Sequence, residues 1–342
     1  MTTRGQHDLP LARLESWMRE HIDGFRAPLA AEQFEGGQSN PTYRLRSGAS
    51  SYVLRHKPLG QLLPSAHAVD REYRVMRALA DTAVPVPKVY ALCEDDAVIG
   101  SAFYVMEFLE GRIFWDPRLP DLPPAERRAT FQSMNAVIAE LHSIDYVAVG
   151  LAEFGRPGNY MARQVARWSR QYQASETEKQ PAMDRLIEWL PCHLPPESEP
   201  RIVHGDYRID NLIYHPTEPR VIGVLDWELS TLGHPLVDLA FNSQAWRMAP
   251  DENGGLLGLS LEDIGIPSER DYLEQYYECA GATERLTVFH QVFAMFRGAV
   301  GSAGVAARGD LGNNVLPDAA NVGRRLAHAY ATRGMELIER EP

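Results

Sequence analysis

The strongest constraint on the fold is a pair of short apolar runs that each end in an acid. Ile202-Val203 leads into His204-Gly205-Asp206-Tyr207-Arg208-Ile209-Asp210-Asn211, and Val221-Ile222-Gly223-Val224-Leu225 leads into Asp226-Trp227-Glu228. Runs of aliphatic and β-branched residues this short, bounded by turn formers, read as strands. Two acids and one amide, Asp206, Asp226 and Asn211, are thereby delivered by loops at strand ends. This β-rich insert, which includes a further strand at 212–214, interrupts a stretch that is otherwise helical. Apolar residues recur at helical spacing over 125–144, 159–172 and 182–190 before it, and over 236–246, 269–280, 285–307 and 318–340 after it. The earlier part of the chain differs. A helix over 11–22 precedes short strands around 42–46 and 51–55. A helix over 66–80 and strands over 89–93 and 102–108 follow. A β-rich first part and a helical second part make an α+β plan. The boundary falls between a β-rich first lobe, residues 1–107, and a helical second lobe, residues 108–342.

The chain of 342 residues is too long for one simple core and suits two lobes. Its formal charge of −12 repels phosphate backbones, so no nucleic-acid partner is expected. Cys93, Cys192 and Cys279 form no CxxC pair, which argues against a zinc site or a disulfide framework. No signal-peptide core and no long apolar span stand out, so a cytoplasmic protein with reduced thiols and no membrane partner is expected.

Phosphoryl transfer needs a residue set of this kind. The transferred group is multiply negative, and magnesium neutralises it through hard oxygen ligands, few of them from the protein. A separate carboxylate orients the attacking hydroxyl and takes its proton. On these grounds Asp206 faces the acceptor hydroxyl, and Asn211 and Asp226 hold the metal. An asparagine ligates through its carbonyl without adding negative charge. An isolated acid at a strand end is more often a cap or turn residue, but the Asn spacing and the second acid outweigh that reading here. A rival arrangement draws His204, Asp206 and His234 into a hydrolase metal site. No two histidines have tight helical spacing such as HExxH, and a loop-positioning His204 is preferred.

His-Gly-Asp with Asn five residues after the Asp, then Asp226-Trp227-Glu228, Gly233-His234-Pro235 and Asp238-Leu239-Ala240, resembles the aminoglycoside phosphotransferase family. The resemblance extends over about residues 25–310 and is most specific over 203–240. It implies a bilobal protein-kinase-like fold, a small β-rich N-lobe with a larger helical C-lobe, and ATP or GTP with Mg2+ as cofactors. It carries the base to Asp206 and the magnesium ligands to Asn211 and Asp226. It makes Asp238 a buried structural acid behind the catalytic loop, and leaves Asp210 exposed or structural. Arg208 is a candidate for neutralising the γ-phosphate in transfer, with a structural arginine as the alternative.

At the nucleotide end, 52–55 resembles the kinase strand that supplies the phosphate-binding lysine. Alternation puts Val53, Arg55 and Lys57 on one face. Val53 then roofs the adenine and Arg55 reaches the phosphates, where arginine is chemically adequate. Lys57 stays as a second candidate, less favoured because it precedes Pro58. Glu72 lies near the apolar face of its helix, where a carboxylate is costly unless paired, and the resemblance pairs it with Arg55. Gly36-Gly37-Gln38-Ser39-Asn40 is the candidate phosphate-covering loop, with Gly37, Ser39 and Asn40 as contacts. Phe103-Tyr104-Val105-Met106-Glu107-Phe108 resembles the strand leading to the interlobe hinge, which implies that backbone groups near Glu107 and Leu109 hydrogen-bond adenine.

Within that family, HGDYRIDN and DWELSTLGHPLVDLA most resemble the kinase-like domain fused to some acyl-CoA dehydrogenases and its free-standing bacterial relatives. That likeness implies a small-molecule hydroxyl acceptor of hydroxyacyl type, such as a hydroxyacyl-CoA. Aminoglycoside, choline and homoserine acceptors are alternatives. So is a nucleotide-binding pseudokinase, although the intact Asp206, Asn211 and Asp226 argue against it. The acceptor is expected on the helical lobe, in a monomer or homodimer.

Overall fold

A computed structural model describes residues 9–34, 40–58, 68–156, 158–176, 178–310 and 318–340. The chain divides into two compact units, Met1–Glu110 with Gly223–Glu228, and Gly111–Ile222 with Leu229–Pro342. The short segment Gly223–Glu228, which carries Asp226, thus belongs with the first unit and not with its sequence neighbours.

The first unit is a five-stranded antiparallel sheet with helices. Its elements are α1 (Leu11–His21), β1 (Leu29–Gln33), β2 (Thr42–Ser47), β3 (Ser50–His56), α2 (Val69–Leu79), β4 (Val89–Cys93), the single-turn α3 (Asp96–Ile99) and β5 (Phe103–Glu107). The strand order is β1-β2-β3-β5-β4. Strand alternation decides the two faces. Tyr52 and Leu54 of β3 join Leu45, Phe103 and Val105 in a core that Leu14, Met18 and Ile22 close. Val53 and Arg55 fall on the other face. Val53 stands opposite Arg44 and Met106, and Arg55 opposite Thr42 and Tyr104. Helix α2 buries Val69, Glu72, Val75, Met76 and Leu79, so a carboxylate lies in its apolar stripe.

The second unit holds α4 (Pro124–Ser143), α5 (Tyr160–Ser175), α6 (Pro181–Trp189), β6 (Arg201–Val203), β7 (Leu212–Tyr214), β8 (Val221–Val224), β9 (Thr231–Gly233), α7 (Pro235–Asn242), the single-turn α8 (Leu261–Ile264), α9 (Glu269–Cys279), α10 (Val288–Asp310) and α11 (Ala319–Glu339). Along β8 the chain passes from this unit into the first. Trp168, Leu186, Phe293, Phe296, Val300 and Tyr330 anchor the main helical core. Each fully buried aromatic or leucine there contributes about 1.5–3 kcal/mol of burial. Gly298 permits the close approach of α10 and α11, because a Cβ there would lie 2.7 Å from the Tyr330 ring.

Several boundaries differ from the sequence reading. The helix expected over 236–246 ends at Asn242 and tightens into a 3-10 turn, Ser243–Arg247. Asn and Ser at that point prefer local hydrogen bonds to helix continuation. Strand β9, which pairs antiparallel with β6, has no counterpart in the sequence reading. Three residues, Thr-Leu-Gly, carry no periodicity to read. The helix expected over 66–80 is described from Val69. Among the described residues no helix is long and apolar enough to cross a membrane.

Candidate active site

The loop after β6 is held by a buried carboxylate. Asp238, 1% exposed on the first turn of α7, accepts the His204 N–H at Oδ2, 2.5 Å, and the Gly205 N–H at Oδ1, 2.8 Å. Burial alone would raise its pKa. His142, whose Nε2 lies 3.4 Å away, His204 and the Gly205 N–H reverse that and hold it below the ordinary carboxylate value. Gly205 sits at φ +86°, and a Cβ there would fall 2.6 Å from the Leu229 carbonyl oxygen, so only glycine fits. Tyr207 is fully buried, and its hydroxyl donates to the Met134 carbonyl at 2.9 Å. The Asn242 amide donates to the Tyr207 carbonyl at 3.2 Å.

His204 and His234 serve this scaffold. His204 Nδ1 accepts the Asp206 N–H at 3.1 Å, which fixes the turn leading to the acid. His234 caps α7 by accepting the Leu236 N–H, and burial lowers its pKa to about 4. Among the described residues no three His, Cys, Asp or Glu side chains gather around a metal position, so the hydrolase arrangement of His204, Asp206 and His234 does not form.

Asp206 is engaged at both oxygens. Its Oδ2 accepts the Asn211 Nδ2–H at 3.1 Å, and Nδ2 also donates to the Asp206 carbonyl at 2.8 Å. Its Oδ1 lies 3.0 Å from Arg208 Nε. Arg208 Nη2 lies 3.1 Å from Asp210 Oδ2. Burial alone would lower the Arg208 pKa, but Asp206 and Asp210 raise it overall. Asp210, expected to be exposed or structural, is therefore a counter-ion within the loop. The sequence reading also missed Arg297. This buried arginine donates to the Gly205 carbonyl and stacks on Trp168 and Phe241, with ring centroids 5.0 Å and 4.6 Å away. A lone cation inside the apolar run Phe293-Ala294-Met295-Phe296-Arg297 was its available signal.

The first unit gathers a second constellation. Arg55 reaches Glu72 through Nε, 3.0 Å, and Asp226 through Nη2, 2.7 Å, and lies 3.9 Å from Glu228. Glu72, 1% exposed, also accepts from Asn40 Nδ2 at 2.9 Å and from the Tyr104 hydroxyl at 3.1 Å. Burial pushes the Glu72 carboxyl up to about 7, against the opposing pull of Arg55. Lys57 turns elsewhere, with its Nζ 3.7 Å from Asp70. Asp226 adopts φ +64°, a left-handed conformation uncommon outside glycine and one that recurs at functional turns. Val53 is 7% exposed. The Glu107 N–H donates to the Lys88 carbonyl at 2.8 Å, so that donor is taken by the backbone beside β5. Arg44, opposite Val53 in the sheet, stacks 4.0 Å over the Phe108 ring, a pairing the sequence reading missed. Leu109 follows Phe108 just beyond β5. Gly37 and Ser39 lie outside the described residues.

Asn211 and Asp226 offer oxygen donors suited to magnesium. Among the described residues the Asn211 amide contacts use Nδ2, and its Oδ1 is an oxygen donor of the kind magnesium takes. The donor chemistry on each unit therefore fits the ion.

The model of a family described as "Phosphotransferase enzyme family" matches residues 30–287. Acyl-CoA dehydrogenase family member 10 of Mus musculus is 44% identical over 98% of the chain, which spans 32% of that protein. Acyl-CoA dehydrogenase family member 11 of Homo sapiens is 42% identical over 98% of the chain, which spans 44% of it. The chain thus covers less than half the length of these curated relatives. A crystal structure of a candidate aminoglycoside phosphotransferase from Ralstonia eutropha JMP134 is 48% identical, with a TM-score of 0.84, and 96% of this chain and 99% of that one are covered. Spectinomycin phosphotransferase APH(9)-Ia, at 12% identity and a TM-score of 0.63 over 97% of this chain and 99% of that one, shares the fold alone. The α+β plan is that of the protein-kinase-like phosphotransferases.

Proposed function

The chain belongs to the phosphotransferase enzyme family, and on that premise we propose that it moves the γ-phosphate of ATP or GTP onto a hydroxyl of a small molecule. The observation that carries this reading is the double engagement of Asp206, whose Oδ2 is held by the Asn211 amide while the loop beneath is pinned to Asp238. A carboxylate so oriented is suited to accept a proton from an attacking hydroxyl. The acceptor oxygen forms a bond to phosphorus, the bond from phosphorus to the bridging oxygen breaks, and the nucleoside diphosphate leaves with that electron pair. The acceptor's proton passes to Asp206. Arg55 binds phosphate oxygens while Glu72 fixes its guanidinium. Asn211 and Asp226 are the proposed magnesium ligands. When bound, the ion neutralises charge on the phosphate oxygens. Backbone groups near Glu107 and Leu109 are the proposed adenine contacts.

The proposed acceptor is of hydroxyacyl-CoA type. The relatives named as acyl-CoA dehydrogenases support it, since they match nearly the whole chain and a kinase delivering to such an enzyme would act on an acyl-CoA. An aminoglycoside is the second reading, supported by the name of the Ralstonia protein. A mass-spectrometric phosphorylation screen of hydroxyacyl-CoAs, aminoglycosides, choline and homoserine, each with ATP and with GTP, decides between them. A phosphate adduct of 80 Da on a hydroxyacyl-CoA is the expected result, about the mass of one HPO3 added in phosphoryl transfer. Transfer to an aminoglycoside alone would replace the first reading by the second. No transfer to any acceptor, together with no MgATP binding, would overturn both.

A further inference from the structure

Asp206 and Asn211 are joined through more than their direct contact. Arg208 Nε lies 3.0 Å from Asp206 Oδ1, and Arg208 Nη2 lies 3.1 Å from Asp210 Oδ2. Asp210 and Asn211 share the 3-10 turn Ile209–Asn211, which is anchored by Ile209 at 7% exposure. Asn211 returns to Asp206 Oδ2 at 3.1 Å. The contacts form a closed ring: base, arginine, second acid, turn, amide, base.

A carboxylate needs such a ring because its terminal torsion is broad and roughly two-fold, so one contact leaves its lone pairs poorly aimed. The Asn211 amide holds one oxygen, and the second hold comes from Arg208. An arginine side chain is long and rotamer-rich, and it orients nothing unless it is itself held. Asp210 supplies that hold. The planar guanidinium suits the task, since it brings two of its nitrogens within ion-pair distance of two carboxylates at once, with Nε beside Asp206 as a charge contact and not an aligned hydrogen bond, whereas a lysine ammonium has no such fork. Two of the three guanidinium nitrogens thereby lie in ion pairs within the loop. From this geometry we infer that Arg208 and Asp210 are positioning residues: Asp210 holds Arg208, and Arg208 aims the Asp206 carboxylate at the acceptor hydroxyl.

The inference rests on the phosphotransfer reading, and its test separates the two. Phosphate release and transfer are followed in the full chain with MgATP and a short-chain hydroxyacyl-CoA, and MgADP affinity is measured by calorimetry. Arg208→Gln is expected to lower kcat by about 30-fold or more and Asp210→Asn by about 10-fold, since misaimed groups cost rate and not binding. MgADP affinity should stay within about two-fold in both, as expected for groups that act on the chemical step. The double variant should be no slower than Arg208→Gln alone, because both changes open one ring. Millimolar guanidinium should restore part of the rate to Arg208→Ala, a response that a merely structural arginine would not give. Arg208→Lys, which keeps the charge, covers the case in which the neutral variants fail to fold, and should remain several-fold slower than wild type. Wild-type kcat in Arg208→Lys and Arg208→Gln, parallel losses of kcat and MgADP affinity, or additive effects in the double variant would overturn the inference alone. Wild-type protein that turns over no ATP would overturn it together with the phosphotransfer reading.

Discussion

Arg55 Nη2 lies 2.7 Å from Asp226 Oδ1 across 171 residues of sequence. The same guanidinium holds the buried Glu72. One cation thus ties the strand β3, the helix α2 and the segment that carries the proposed magnesium ligand into one unit. Burial disfavours the charge on Arg55, but Glu72 and Asp226 more than offset this and raise its pKa overall.

Replacing Arg55 separates its charge from its fork. Arg55→Lys keeps a cation but cannot span Glu72 and Asp226 together. It should raise KM for ATP about 5- to 20-fold, and Arg55→Met should lower kcat/KM by about 100-fold or more, as charge-assisted hydrogen bonds of this kind contribute roughly 1.5–3 kcal/mol each. Steady-state kinetics with MgADP calorimetry measures both. Normal nucleotide affinity in Arg55→Met would remove Arg55 from the phosphate site.

Asp206→Asn preserves shape and removes the proton acceptor. The expected loss in kcat is about 100- to 10,000-fold, the range for a positioned general base. MgATP should still raise the melting temperature, because the base makes no demand on nucleotide binding. Turnover near the wild-type rate in this variant would refute the role given to Asp206.

Glu72 makes stability depend on pH in a defined sense. Its carboxyl is pushed up to about 7 by burial, above its value in an unfolded chain. The folded state therefore holds this proton when the unfolded state has released it. The resulting stability is fully present below the unfolded pKa of about 4.3 and is lost as pH rises through about 7. The difference should be on the order of 3–4 kcal/mol. Glu72→Gln lacks this titration, so wild-type melting should fall relative to Glu72→Gln between pH 5 and 8. Parallel profiles would show that Glu72 titrates near its ordinary value.

The legible part of the molecule is the part written in local patterns. Alternation placed Val53 and Arg55 on one sheet face, helical spacing located Glu72 near the apolar side of α2, and the loops after β6 and β8 were marked by the strands that feed them. What stayed hidden depends on distant partners. Nothing near Asp210 announces that it binds Arg208, since an acid two residues from an arginine in a loop has many rotamers open to it. Arg297 sits in an apolar run with no local hint that its partner is the Gly205 carbonyl. The three residues of β9 are strand only because β6 lies beside them, with Ile202 opposite Leu232. The return of Gly223–Glu228 to the first unit is likewise a matter of chain path.

Asp238 tests how far the catalytic loop depends on a group that touches no reactant. Its two oxygens accept the N–H groups of His204 and Gly205 inside the protein, where neither donor has water to turn to. Asp238→Ala leaves both unsatisfied and also removes a partner of His142, which keeps the Tyr276 hydroxyl, so about 2–6 kcal/mol of stability should be lost at roughly 1–3 kcal/mol per orphaned N–H. Asp238→Asn retains one acceptor oxygen but presents an NH2 to the other N–H, so its cost should lie between wild type and Asp238→Ala. Urea denaturation of the three proteins reads these differences. Hydrogen exchange should locate the Asp238→Asn effect, with protection lost first at His204 and Gly205, because local opening follows the weakened contacts. Unchanged protection at those amides in Asp238→Asn would mean that the loop is held from elsewhere, with Arg297 on the Gly205 carbonyl, Tyr207 on the Met134 carbonyl and Asn242 on the Tyr207 carbonyl among its other anchors.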